Sequence, residues 1–109
     1  MIKVTIATEG EKLSLRLEGH AEYAEVGKDI VCASASILAY TVAQIVRIKE
    51  RDGCLTESAV VRLEGGDTEI TCVPKDATSY DLLWDAYDFA RVGYFLLAHN
   101  YPKYVRLMP

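Results

Sequence analysis

Cysteine, histidine and basic residues are all scarce in this chain. Its 109 residues include three cysteines and two histidines, and twelve Lys and Arg against sixteen Asp and Glu leave a net charge of −4. An odd cysteine count at wide spacing argues against a disulfide framework and suits a reducing compartment. No C-x-x-C pair surrounds Cys54 or Cys72, so no zinc site is expected, and neither is any other metal or cofactor. The acidic balance lacks the basic footprint of a nucleic-acid binder, so direct nucleic-acid contact is not expected. An uninterrupted apolar run is missing too. The nearest approach, Ile30 to Ile48, is broken by Ser34, Ser36, Tyr40, Thr41, Gln44 and Arg47, and reads as a buried core helix instead of a membrane span. Met1-Ile2-Lys3-Val4 begins strand-like alternation at once, so no signal peptide is expected and the chain is assigned to the cytoplasm. Repeats, low-complexity tracts and linkers are absent, which makes residues 1–109 one domain, long enough for a core without disulfide support.

What is present alternates and then coils. Ile2, Val4 and Ile6 mark a half-buried first strand; Leu13, Leu15 and Leu17 mark a second. The turn at Gly10 is too short for a parallel crossover, so the two pair as a hairpin. Residues 21 to 28 have neither period and read as a loop. Asp29 is a candidate N-cap for a helix reaching about Lys49 or Arg51, with Gly53 just past its end. Ala59, Val61 and Leu63 share one face of a third strand, Gly65-Gly66-Asp67 is a tight turn, and Ile70 and Cys72 share a face of a fourth. Pro74 to Ser79 form a connector in which Thr78 or Ser79 caps a second helix over about Tyr80 to His99, stopped by Asn100 and Pro102. Tyr104 to Leu107 could add a short final strand. The fold class is therefore α+β: a small antiparallel or mixed sheet in the order ββαββα, with two long helices packed on it.

The second helix has more apolar surface than one packing face needs. Leu83, Ala86, Ala90, Gly93 and Leu97 make one stripe; Tyr80, Trp84, Tyr87, Arg91 and Tyr94 make another. Aromatic residues beside an arginine are enriched at protein interfaces, so a homodimer through this helix is expected. The alternative is that these aromatics rim a monomer's core.

Gly19 to Ser36 carries the chemistry. Gly19 sets His20 at the rim of the second strand, and Cys32 falls in the first turn of the first helix, where unpaired N–H groups and the helix dipole favour an anion. If the two side chains meet, the thiol proton passes to the imidazole and the thiolate can attack a carbonyl carbon. Free amides near Cys32 could hold the oxyanion, and His20 would protonate the leaving amine. Asp29 orients His20, caps the helix, or does both; its position alone suffices for capping. Ser36, one turn after Cys32, could support the site, although a serine more often bonds back to its own helix. The mobile segment between the pair would be Ala21, Glu22, Tyr23, Ala24, Glu25, Val26, Gly27 and Lys28. A cysteine in an apolar helix is commonly just a small core residue. His99, near a helix C-terminus, reads as structural. Glu18, Glu22, Glu25 and Asp29 give the site an acidic mouth that would attract a basic partner, though such charge also serves solubility.

Gly19-His20-Ala21, Gly27, Asp29-Ile30-Val31-Cys32-Ala33 and Ser36 resemble the signature of the ribosomal-processing cysteine protease (Prp) family, and Tyr101-Pro102-Lys103-Tyr104-Val105 extends the likeness to the end of the chain. The resemblance implies a cysteine endopeptidase with His20 and Cys32 as its catalytic dyad and Asp29 and Ser36 as further active-site positions. It implies a small α+β homodimer whose loop between histidine and cysteine moves on substrate binding. The implied substrate is the twenty-seventh protein of the bacterial large ribosomal subunit, from which the family removes a short N-terminal extension after a hydrophobic, aromatic-containing sequence. Ala35 departs from the family pattern, where a larger β-branched residue, commonly valine, is usual. The competing reading is a non-catalytic ribosome-associated binding or assembly module, in which His20 and Cys32 are parts of a packed rim.

Overall fold

The alternating leucines of the second strand find their partners on both sides. In a computed structural model describing residues 1–109, β1 (Ile2–Glu9) and β2 (Lys12–Glu18) pair antiparallel with Val4 opposite Leu17 and Ile6 opposite Leu15. β2 pairs in turn with β4 (Asp67–Cys72), setting Leu15 opposite Ile70 and Leu13 opposite Cys72. β3 (Val60–Glu64) lies outside β4, and β5 (Val105–Leu107) runs parallel to β1 at the other edge. The sheet is thus mixed, in the order β3-β4-β2-β1-β5. Because side chains alternate, this register collects Val4, Leu13, Leu15, Leu17, Ile70 and Cys72 on one face, all buried. The opposite face is charged: Arg62 bridges Asp67 and Glu69, and Arg16 reaches Glu69. A sheet with one apolar face needs a cover.

Two helices supply it. α1 (Ile30–Arg51) buries Val31, Ala35, Ala39, Val42, Ala43 and Val46 at helical spacing. By length and hydropathy α1 could cross a membrane, but that stripe packs into the core of this fold, as expected for an interrupted apolar run. The alanines at 35, 39 and 43 keep α1 close to its neighbours. α2 (Ala77–Asn100) crosses it at Gly93, where an added Cβ would stand 2.7 Å from Leu38 Cδ1.

α2 departs from the sequence expectation at both its start and its outer face. It begins at Ala77, and its cap is Asp76, whose carboxylate accepts the Ser79 N–H at 2.8 Å; Thr78 and Ser79 lie inside the first turn. A carboxylate one step after Lys75 closes the turn earlier than the hydroxyls would. The aromatic stripe is not the outer surface. Tyr87 and Tyr94 are fully buried, donating hydrogen bonds to the Ile70 and Ala35 carbonyls, both at 2.9 Å. Each ring fills core volume while its hydroxyl satisfies a backbone acceptor, so a tyrosine suits an interior position here. Exposed instead are Leu82, Phe89, Val92, Phe95 and Leu96.

Candidate active site

His20, Cys32, Asp29 and Ser36 all line one cavity of about 750 Å³. Its walls are the end of β2, the loop to α1, the first turns of α1, and the β3–β4 turn at Gly65 and Gly66. The sheet order decides this meeting. Since β4 lies directly beside β2, its turn stands next to the residue that leaves β2.

Asp29 holds the site's backbone. Its Oδ1 accepts the Val31 and Cys32 N–H groups at 3.0 and 2.9 Å, capping α1, and its Oδ2 accepts those of Tyr23 and Ala24 at 2.9 and 3.2 Å. Partial burial works to raise the carboxyl's pKa, but the four N–H donors outweigh it and hold the group below its ordinary value. Of the roles open to Asp29 in the sequence, capping is the one the geometry displays; its second role is to tether the loop. It makes no hydrogen bond to His20.

That cap changes the expected source of amides for an oxyanion. The Val31 and Cys32 N–H groups are occupied by Asp29 Oδ1, and the Ala33 N–H bonds the Asp29 carbonyl at 3.0 Å. The donor that does face the sulfur comes from the loop: Ala21 N–H reaches Cys32 Sγ at 3.4 Å. Ala21 is itself buried, so the residue after His20 is clamped against the thiol. Charge arising on that sulfur would meet an amide dipole in a half-buried setting.

His20 is an exposed side chain with a fixed backbone. Its neighbour Gly19 donates its N–H to the Gly66 carbonyl at 2.9 Å, and the Met1 ammonium donates to the His20 carbonyl. The imidazole rests over the β3–β4 turn; a Cβ on Gly66 would stand 2.6 Å from its Nε2. No hydrogen bond joins the ring to Cys32, although both face the same cavity. Ser36 lies one turn beyond Cys32, and its hydroxyl makes no bond back to the helix. Ser34 and Thr41 do so, to the Ile30 and Ile37 carbonyls at 2.7 Å. A serine expected to be tied up is therefore open to the cavity.

The loop has two different halves. Tyr23 packs edge-on against Tyr101 and Tyr104, with ring centroids 5.6 and 5.1 Å apart, so Ala21 to Ala24 are anchored. Glu25 to Lys28 form a turn closed by Lys28 N–H to the Glu25 carbonyl at 2.9 Å, and Val26 at their tip is fully exposed. The anchored half was not legible as such, because its partners lie some eighty positions along the chain. Gly65, Gly66 and Asp67 were likewise missed as wall residues, having been read only as a turn, and Glu64 at the end of β3 was not singled out. The Asp67 carboxyl is held below its ordinary pKa chiefly by its hydrogen bonds to Arg62. Glu22 and Glu64 form no ion pair, so they leave the mouth acidic.

The other cysteines are apart from this cavity. Cys72 is buried, and desolvation raises its thiol pKa despite a hydrogen bond from Tyr87. No group of His, Cys, Asp and Glu side chains is arranged to hold a metal ion.

The family model described as cysteine protease Prp matches residues 1–106. Among solved structures, the chain is similar to the essential ribosomal processing protease Prp from S. aureus with a covalently linked product peptide, at 26% identity and a TM-score of 0.73, over 98% of this chain and 97% of that one. The same S. aureus protease with a substrate peptide superposes with a TM-score of 0.68 at 24% identity, over 99% and 98% of the two chains, a likeness of fold. SMU.848 from Streptococcus mutans is 27% identical with a TM-score of 0.61, over 98% of this chain and 91% of that one. No curated protein sequence matches the chain.

Proposed function

The chain belongs to the Prp family of cysteine proteases, and from that membership we propose that Cys32 is its nucleophile and His20 its general acid and base in processing a ribosomal protein. The substrate we assign is the twenty-seventh protein of the large ribosomal subunit, cut to release its N-terminal extension. The S. aureus relative is a ribosomal processing protease, and the acidic rim at Glu22 and Glu64 suits a lysine-rich ribosomal tail.

The observation that carries the reading is the Ala21 N–H on Cys32 Sγ, at 3.4 Å, one residue from His20. It brings the histidine's backbone beside the sulfur, and in this reading the imidazole turns from Gly66 toward the thiol when substrate binds. The thiol proton then passes to His20, and the thiolate adds to the scissile carbonyl carbon. As the tetrahedral adduct collapses, the C–N bond breaks and the amine leaves with the proton from His20. A water molecule, deprotonated by His20, attacks the thioester; the acyl product departs and the thiol is restored. The Ala21 N–H stands where negative charge moves between sulfur and carbonyl oxygen. Catalytic hydrogen bonds commonly tighten only with substrate in place, which accounts for the ring standing over Gly66 in the free chain. Closure would involve the unanchored half of the loop, from Glu25 to Lys28.

Cys32→Ala is expected to abolish cleavage of the extended ribosomal protein with an unchanged far-UV spectrum, and His20→Ala to be similarly severe. Cleavage surviving in Cys32→Ala would refute the assignment. We further assign the homodimer to the outer face of α2, now formed by Phe89, Val92, Phe95 and Leu96. A non-catalytic ribosome-associated module does not fit membership of a protease family.

A further inference from the structure

We infer that Gly66 is a positioning residue for His20, which deepens the reading of His20 as general acid and base and rests on it. Three independent observations converge on the β3–β4 turn. A Cβ at Gly66 would lie 2.6, 3.1 and 3.3 Å from His20 Nε2, Cε1 and Cδ2, so the ring occupies the space a side chain would take. The Gly66 carbonyl accepts the Gly19 N–H at 2.9 Å, tying the same residue to the backbone that carries His20. Gly66 has φ +78°, a left-handed conformation that fits a two-residue hairpin turn. The adjacent Gly65 differs, since its Cβ would meet only His20 Cε1, at 3.8 Å, an ordinary contact.

An imidazole that is exposed and makes no side-chain hydrogen bond has many rotamers open to it. The bare backbone of Gly66 provides a flat floor against which the ring rests, and this narrows its search to positions around the cavity that also holds Cys32. A methyl group at residue 66 would displace Nε2, the atom 2.6 Å away, while leaving the substrate walls on α1 in place. The loss should therefore fall on proton transfer instead of on binding.

The test compares Gly66→Ala and Gly66→Asn with Gly10→Ala. Gly10 has φ +61° in the β1–β2 turn with nothing within 4 Å of its would-be Cβ, so its variant reproduces backbone strain without the ring contact. Asparagine tolerates left-handed φ, so Gly66→Asn keeps the clash and relieves the strain, which secures a folded variant. Steady-state cleavage of an extended ribosomal-protein peptide should show kcat lowered about 100-fold in both Gly66 variants, as for a misplacement of around 1 Å, with KM nearly unchanged. The pH profile of Cys32 alkylation by iodoacetamide should shift in both, because a side chain at residue 66 alters the positions the imidazole can take around the cavity it shares with Cys32. Gly10→Ala should match the native chain in both measurements. Gly66 variants that equal Gly10→Ala in kcat and in pH profile would overturn the inference while a dead His20→Ala left the underlying assignment standing. Full activity in His20→Ala would overturn the assignment itself.

Discussion

Replacing Asp29 separates its two structural duties. One carboxylate oxygen caps α1 through Val31 and Cys32, and the other receives the Tyr23 and Ala24 N–H groups. In Asp29→Asn the amide oxygen can still cap, since asparagine is among the best N-cap residues. Its NH2 is a donor, however, and cannot accept from two loop amides. Asp29→Ala loses both sets. Loss of a cap costs about 1 kcal/mol, and two solvent-accessible loop hydrogen bonds contribute about 1 kcal/mol together after exchange with water. We therefore expect Asp29→Asn to lose about 1 kcal/mol and Asp29→Ala about 2 kcal/mol, or roughly 4–8 °C and 8–16 °C in Tm for a domain of this size. The pH dependence has a definite sign. Against the partial burial that would raise it, four backbone N–H donors hold the folded-state pKa of Asp29's carboxyl below the ordinary carboxylate value. Its stabilisation is thus fully present above about pH 5 and is lost as pH falls through the depressed folded value. The native chain and Asp29→Asn should differ at pH 7, and the difference should narrow at pH 3. Urea unfolding at the two pH values supplies the free energies, and amide exchange at Tyr23 and Ala24 reports the tether directly. Equal stability of native and Asn chains at pH 7, with unchanged exchange at those two amides, would refute the account of a loop held by Oδ2.

Two further outcomes follow from the helices. Tyr94→Phe removes a buried hydroxyl that donates to the Ala35 carbonyl at 2.9 Å and should cost about 1 kcal/mol in denaturant unfolding; no measurable loss would remove that bond from the stabilising set. Phe89→Glu places a charge on the exposed apolar face of α2; with the proposed interface there, sedimentation at micromolar concentration should show the native chain as a dimer and the variant as a monomer, and a monomeric native chain or an unaltered dimer would refute that proposal.

Local signals made most of the architecture readable. Period-two leucines in β2, the Asp29 cap, Gly53 past α1 and the Gly65-Gly66 turn each act within a few residues, and each gave the element found. The start of α2 was misplaced because Asp76 lay in a stretch already read as connector. The outer face of α2 was misassigned because period alone cannot say which of two apolar stripes the sheet will cover. Tyr87 and Tyr94 pack their rings into the core, where carbonyls of β4 and α1 satisfy the hydroxyls that burial removes from water.

The amino-acid order by itself determined the strands, the helices and the types of group available for catalysis, because hydrophobic period and capping are short-range properties of a chain. It also set His20 and Cys32 at the ends of two such elements. Only the tertiary structure decided what surrounds them: β4 lying beside β2 brings Gly66 under the imidazole, and the loop turns the Ala21 amide onto the sulfur. Contacts between residues tens of positions apart depend on how the sheet is ordered and closed, and pairing of that range leaves no periodic trace in the chain.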